Sequence, residues 1–313
     1  MREIKTVVIA GAGTMGSSMA ETFAKFHYQV ILYDIFQEAL DKARNLISLN
    51  QETEVKEEVL TVEESENLKN RIQYTSDVNE FKKADFVVEA ILEKIEIKHK
   101  FWEEVSQIVD EDVILCSNTS GLSITKIAEV VKNPERFAGM HWINPPHIIP
   151  LIEIIRGEKT LEENAEVVRQ LCLKLNKKPV VVKDAPGFVL NRIQFAIIRE
   201  CLNIVERDIA SVEAVDDVMK YGLGLRYASL GPFQVADLGG LDIFYNISSY
   251  LFEDLADQKE VFGKLKECHD KEALGVKNGK GFYDYSQGKD EELIRYRDTM
   301  FTKVAKTLFE EEK

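Results

Sequence analysis

Thr6-Val7-Val8-Ile9-Ala10-Gly11-Ala12-Gly13-Thr14-Met15-Gly16, read on to Gln29-Val30-Ile31-Leu32-Tyr33-Asp34, is the stretch that decides the fold. Lys5–Ala10 is a short β-branched run ending in glycine, the pattern of a buried parallel strand. From about Gly13 to Phe26 the spacing is helical, with Met15, Met19, Phe23 and Phe26 available for one face. Gln29–Tyr33 is a second strand, so the segment is a βαβ unit. Gly11, Gly13 and Gly16 form a G-x-G-x-x-G turn between strand and helix. Such a turn lets a pyrophosphate approach the backbone N–H groups at a helix N-terminus. Gly11, Gly13, Thr14, Met15 and Gly16 are therefore expected to bind a dinucleotide. Asp34, at the end of the second strand, can bind a ribose 2′-hydroxyl. Its carboxylate would repel a 2′-phosphate, and Ile35, Phe36 and Gln37 offer no arginine to hold one. The cofactor expected is NAD, not NADP.

Outward from this unit, Gln37–Arg71 is helical in period and acidic, and Thr61-x-x-Glu64 predicts a capping box opening the second of two helices. Asp85–Ile91, Val113–Ser117, Arg136–His141, Leu151–Ile155 and Lys178–Val182 read as further strands, and Ser123–Val131 and Leu161–Leu175 as helices. The character changes at Lys183-Asp184-Ala185-Pro186-Gly187. Beyond it, Phe188–Arg207 reads as one long helix, and helical patterns alternate with Gly-rich turns to the end. The expected fold is α/β: a Rossmann-type dinucleotide-binding domain over residues 1–184, then an all-α domain over 185–313.

A net charge of −14 argues against a nucleic-acid or anionic-membrane surface, since both need clustered Lys and Arg. No apolar run reaches the roughly 18 residues of a membrane span. The first strand-like run begins at Ile4, which leaves no room for a signal or transit peptide. Cys116, Cys172, Cys201 and Cys268 are far apart and form no Cys-x-x-Cys pair, so free thiols in a reducing cytoplasm are expected, and no metal.

A dehydrogenase acting on an alcohol needs a base to take the hydroxyl proton, and histidine is the usual choice. His27, His99 and His269 lie in helical or charged surroundings and read as solvated or packing residues; His147, after Pro145-Pro146, is ambiguous. His141 ends a strand, where ligands bind in open α/β sheets. Glu153 sits inside the apolar run Leu151–Ile155, where a carboxylate is costly to bury unless paired. Pairing it with His141 would meet that cost and orient the imidazole. Spacing alone leaves a second reading open, a structural histidine and an unrelated edge-strand glutamate.

Several motifs, in order along nearly the whole chain, resemble the 3-hydroxyacyl-CoA dehydrogenase family. They are Gly11–Gly16, Ser117-Asn118-Thr119-Ser120, Phe137–Pro145, Glu153, Pro186-Gly187-Phe188-Val189-Leu190-Asn191-Arg192, and Gly279-Lys280-Gly281-Phe282-Tyr283. The resemblance implies that His141 is the general base and that Glu153 orients it. It implies that Ser120 and Asn191 hydrogen-bond near the reacting oxygen of the substrate, and that Glu93, Lys98, Asn144 and Lys277 lie near the dinucleotide. It also implies a homodimer formed through the helical domain. Read from the residues alone, Ser120 is equally a helix N-cap and Asn191 a polar residue in the first turn of the long helix.

The resemblance is mixed as to substrate. Ser120–Ile124, Ala236–Asp242 and Gly279–Tyr285 look like the short-chain 3-hydroxybutyryl-CoA enzymes. Trp142–Glu153 and Gly222–Pro232 look like the branch that acts on free hydroxy acids, the L-gulonate 3-dehydrogenases (with lambda-crystallin) and carnitine dehydrogenases. Where the family holds the CoA nucleotide with a serine and a lysine, a gap-free placement puts Asn50 and Glu57, amid Glu52, Glu54, Glu58, Glu63 and Glu64. Arg226, in a Gly-rich turn, reads either as a helix-terminal cap or as a substrate-binding guanidinium. The expected activity is NAD-dependent oxidation of a short-chain L-3-hydroxyacyl-CoA, or the reverse. A free hydroxy acid is the first alternative and a non-catalytic NAD-binding protein the second.

Overall fold

The computed structural model describes residues 3–56 and 58–309. The chain forms two compact units, one up to Asn191 and one from Arg192 onward. The first contains β1 (Thr6–Ala10), α1 (Thr14–Lys25), β2 (Gln29–Tyr33), α2 (Gln37–Lys56), α3 (Val62–Asn70), β3 (Ile72–Thr75), β4 (Phe86–Glu89), α4 (Ile95–Ile108), β5 (Ile114–Ser117), α5 (Ile124–Ile127), β6 (Phe137–Trp142), β7 (Leu151–Arg156), α6 (Glu162–Lys174) and β8 (Lys178–Lys183).

These eight strands form one sheet in the order β3-β2-β1-β4-β5-β6-β7-β8. All neighbouring strands pair in parallel except β6 and β7, which are antiparallel. β4, β5 and β6 are buried along their whole length, as strands covered on both faces must be. One face carries Phe23, Leu40, Ile47, Leu68 and Val168; the other carries Phe81, Trp102, Val105, Ile127 and Phe188. Strand order reverses between β1 and β4, which opens a ligand-binding crevice at their carboxyl ends.

Three local features depart from the sequence reading. β3 and α4 were not anticipated. β3 is a four-residue edge strand with only Ile72 buried, too short to show an alternation. α4 turns Lys98, Trp102, Val105 and Ser106 inward, so two polar residues occupy core positions and mask the apolar stripe. The long helix expected from Phe188 begins at Leu190, because Gly187 (φ 76°) and Phe188 (φ 50°) are left-handed. The capping box is as expected: Glu64 N–H donates to Thr61 Oγ1 at 3.2 Å and Thr61 N–H donates to Glu64 at 2.8 Å.

The helix α7 (Leu190–Glu206) leads into the second unit. That unit holds α8 (Val212–Val218), a π-helical turn at Met219–Gly224, α9 (Leu225–Ser229), α10 (Pro232–Gly239), α11 (Leu241–Leu251), α12 (Gly263–Asp270) and α13 (Lys289–Phe309). Among its described residues β structure is limited to isolated bridges, Gly275 to Lys280 and Lys280 to Asp284. A Rossmann-type domain followed by a helical one is thus the architecture. Among the described residues, no helix is long and apolar enough to cross a membrane.

Candidate active site

The glycine turn is built for close approach. A Cβ on Gly11 would stand 2.5 Å from the carbonyl oxygen of Ala90, and one on Gly16 would stand 1.8 Å from that of Gly11. Gly13, by contrast, faces open space with no atom within 4 Å of the position a Cβ would take. It also begins α1 without a side chain over the first-turn amides. Asp34 accepts from Ala12 N–H at 2.8 Å and from Phe36 N–H at 3.0 Å. Two backbone donors thus orient the carboxylate and leave lone pairs for a ribose. An open glycine, bare helix-terminal amides and an oriented carboxylate fit NAD.

Deeper in the crevice, Glu89 ends β4 and is fully buried. One oxygen accepts from Trp102 Nε1 at 3.1 Å and Ser117 Oγ at 2.8 Å. The other accepts from Ile91 N–H at 3.0 Å and pairs with the fully buried Lys98 ammonium. Lys98 also reaches Glu93 at 3.2 Å. Glu93 in turn accepts from Thr119 Oγ1 and from Ser120 N–H, the latter at 2.9 Å. Burial works to raise the Glu93 carboxyl, but Thr119, Lys98 and Ser120 outweigh it and hold it below its ordinary value. Lys98 therefore faces two carboxylates, and Glu93 fixes the loop that carries Ser120. Glu89 was missed in the sequence. Its signal was a carboxylate in the apolar run Phe86-Val87-Val88-Glu89-Ala90, the same cue that flagged Glu153.

His141 and Glu153 are directly opposite each other in the antiparallel β6–β7 pair, so their side chains share a face. His141 Nδ1 lies 2.9 Å from Glu153 Oε2, and both residues are buried. The other oxygen, Oε1, accepts from Val189 N–H and Leu190 N–H, each at 2.9 Å. Burial acts to raise the Glu153 carboxyl, but His141, Leu190 and Val189 prevail and hold it low, so it stays ionised at neutral pH. Asn191 donates from its amide to the main-chain oxygen of Ser120 at 2.7 Å. Trp142 N–H donates to Asn118 Oδ1 at 2.8 Å.

Asn144 is exposed two residues past β6 and precedes a cis peptide bond to Pro145. The loop after it is held by Lys177, which donates to the carbonyls of Pro146 at 2.5 Å and Ile149 at 2.9 Å. Burial pushes the Lys177 ammonium down to about 8. The first unit thus gathers Glu93, Lys98, Ser120, His141, Glu153 and Asn191 into one hydrogen-bonded region. Arg226 and Lys277 belong to the second unit, where both are exposed.

Of the two residues at the family's CoA-nucleotide positions, Glu57 lies outside the described residues. Asn50 donates its amide to Glu21 of α1 at 2.9 Å.

The family model for the 3-hydroxyacyl-CoA dehydrogenase NAD-binding domain matches residues 6–185, and that for the C-terminal domain of the same family matches residues 187–285. The chain is 35% identical to 5-formyl-3-hydroxy-2-methylpyridine 4-carboxylate 5-dehydrogenase of Mesorhizobium japonicum, over 97% of this chain and 98% of that one. It is 38% identical to the probable 3-hydroxybutyryl-CoA dehydrogenase of Bacillus subtilis, over 91% of this chain and 99% of that one. Among solved structures, a 5-formyl-3-hydroxy-2-methylpyridine 4-carboxylic acid 5-dehydrogenase, described as an NAD+-dependent dismutase, superposes with a TM-score of 0.89 at 34% identity. It covers 98% of this chain and 99% of its own.

Proposed function

Because this chain belongs to the 3-hydroxyacyl-CoA dehydrogenase family and is an NAD-dependent oxidoreductase, we propose that His141 is its general base and that its substrate is a small free acid carrying a hydroxyl or carbonyl group. Bound NAD accepts or returns the hydride. His141 turns Nδ1 toward Glu153, which leaves Nε2 to take the proton of the substrate hydroxyl. The Glu153 carboxylate fixes the tautomer and stabilises the imidazolium that forms. Ser120 and Asn191, tied together beside this pair, are assigned to the reacting oxygen. Asp34 and the glycine turn would hold a ribose and the pyrophosphate and favour NAD over NADP, while Glu93, Lys98 and Asn144 would lie near the dinucleotide. Lys98 acts through its hold on Glu93, being fully buried itself.

The observation that carries the choice of substrate is the hydrogen bond from Asn50 to Glu21. It engages the residue that would contact a CoA nucleotide, beside Glu52, Glu54, Glu58, Glu63 and Glu64, where a 3′-phospho-ADP meets like charge. The match to the pyridine-carboxylate enzyme, over 97% of this chain and 98% of that one, supports the same reading. Arg226 is the candidate for the substrate carboxylate. A short-chain L-3-hydroxyacyl-CoA, the substrate first expected from sequence, is the second reading, favoured by the 38% identity to the Bacillus subtilis protein. An NADH absorbance assay tests the choice. Its panel is acetoacetyl-CoA, 3-hydroxybutyryl-CoA, L-gulonate, carnitine and the formyl-pyridine carboxylate. Turnover of a free acid with little of either thioester is expected; efficient turnover of a thioester alone would reverse it.

We also assign the functional division to residues 1–184 and 185–313, and a homodimer to the helical part. That part exposes Phe233 (85%), Leu238 (78%) and Tyr245 (75%), more apolar area than a lone helical unit ordinarily leaves to water. A cytoplasmic setting suits its free cysteines.

A further inference from the structure

Phe188 is a bulky residue in a left-handed conformation, φ 50°, directly after Gly187 at φ 76°. A large side chain rarely takes this conformation, and residues held there cluster where the surrounding structure needs them. Two contacts keep Phe188 in place. Its N–H donates to the Ala185 carbonyl at 2.9 Å, closing the turn. Its ring is 1% exposed and belongs to the apolar core that also holds Ile124, Phe137 and Ile155. Asp184, just ahead of the turn, is itself anchored by accepting from Ser123 Oγ at 2.7 Å and Thr125 N–H at 2.8 Å.

Two outputs of this turn reach the same pair of residues. The Phe188 ring centroid lies 5.7 Å from that of His141, with the planes tilted by 58°. The next two N–H groups, of Val189 and Leu190, both donate to Glu153 Oε1. The left-handed turn starts α7 at Leu190, so the N–H groups of Val189 and Leu190 have no intrahelical carbonyl to meet and are left for Glu153 Oε1.

We propose that Phe188 is a positioning residue for the His141–Glu153 pair, its ring covering one side of the imidazole and its backbone turn aiming two amides at the carboxylate. The inference rests on the reading of His141 as the base. Phe188 touches neither proton nor hydride; it limits the rotation of both partners and keeps water from one side of the imidazole. Misplacement of reacting groups by about 1 Å can cost on the order of 100-fold in rate.

Two variants separate the outputs. Phe188→Gly keeps the left-handed turn at no steric cost and removes the ring. Phe188→Leu keeps apolar volume and removes the flat aromatic surface. Each is compared with the native enzyme and with His141→Ala, by NADH fluorescence titration, by steady-state kinetics, and by proton NMR. The NMR reports the downfield imidazole N–H of the His141–Glu153 bond, identified by its loss in His141→Ala. Both variants are expected to bind NADH as the native enzyme does and to keep the substrate KM within a few-fold. Their kcat is expected to fall roughly 10- to 100-fold, and the N–H resonance to broaden through exchange with water. A sharp, unshifted resonance with kcat within about twofold of native would overturn the proposal. If Phe188→Gly fails to fold, the same resonance and kcat in Phe188→Leu decide it. An inactive His141→Ala beside unaffected Phe188 variants defeats this inference alone; a fully active His141→Ala defeats the reading beneath it.

Discussion

Asn50 donates to one carboxylate oxygen of Glu21 at 2.9 Å, while its neighbour Gln51 donates to the other at 3.2 Å. The seam between α1 and α2 is therefore closed on a part-buried carboxyl. Burial pushes Glu21 up from its ordinary 4.5 to about 7, against the two amide hydrogen bonds. A carboxyl raised on folding gives its full stability below the unfolded value of 4.5 and loses it as pH rises through about 7. Glu21→Gln cannot ionise and keeps one of the two acceptor oxygens. Its gain in unfolding free energy over native is predicted to be roughly 1–3 kcal/mol larger at about pH 8.5 than at about pH 5. Urea unfolding at the two pH values measures this; an equal effect at both would contradict it.

Asp34 sets the choice of cofactor. Native enzyme is expected to prefer NAD strongly, and Asp34→Ala to narrow the preference by roughly 10- to 100-fold, the worth of one charge-assisted hydrogen bond. The two values of kcat/KM, with NAD and with NADP, give the ratio. Equal efficiency with both cofactors in the native enzyme would sink the assignment.

Arg226 distinguishes the two substrate readings. With a free acid, Arg226→Met should remove a charge-assisted contact of about 1.5–3 kcal/mol, a loss of roughly 10- to 150-fold in kcat/KM. With a thioester, which carries no charge at that place, the loss should be much smaller. The comparison is made on acetoacetyl-CoA and on whichever free acid turns over. A large loss on the thioester and none on the acid would invert the reading.

The glycine turn, Asp34 and the first strand–helix–strand unit were legible because each rests on a local rule. Three glycines, a strand-end carboxylate and two β-branched runs report their structure within thirty-odd residues. The His141–Glu153 pairing was legible as chemistry, since a carboxylate in an apolar strand requires a partner, but not as register. What brings the two together is the antiparallel β6–β7 pair, in a sheet otherwise parallel. Lys98 obscured the helix that carries it: a fully buried ammonium puts charge at a position that a periodicity count reads as surface. Lys177 and Phe188 were illegible for another reason. Their roles lie in holding carbonyls and aiming amides that belong to other residues, and neither a long-range backbone contact nor a left-handed φ leaves a mark in composition.

His141, oriented by Glu153, is proposed to take the substrate proton. The most direct test is His141→Ala, assayed by NADH absorbance on the best substrate of the panel and by NADH fluorescence for cofactor binding, with Glu153→Gln alongside. Turnover by His141→Ala is predicted to fall on the order of 10²–10⁴-fold while NADH affinity stays close to native, and Glu153→Gln should also lose rate because the imidazolium loses its counter-charge. Native rates in the His141→Ala enzyme would contradict the account.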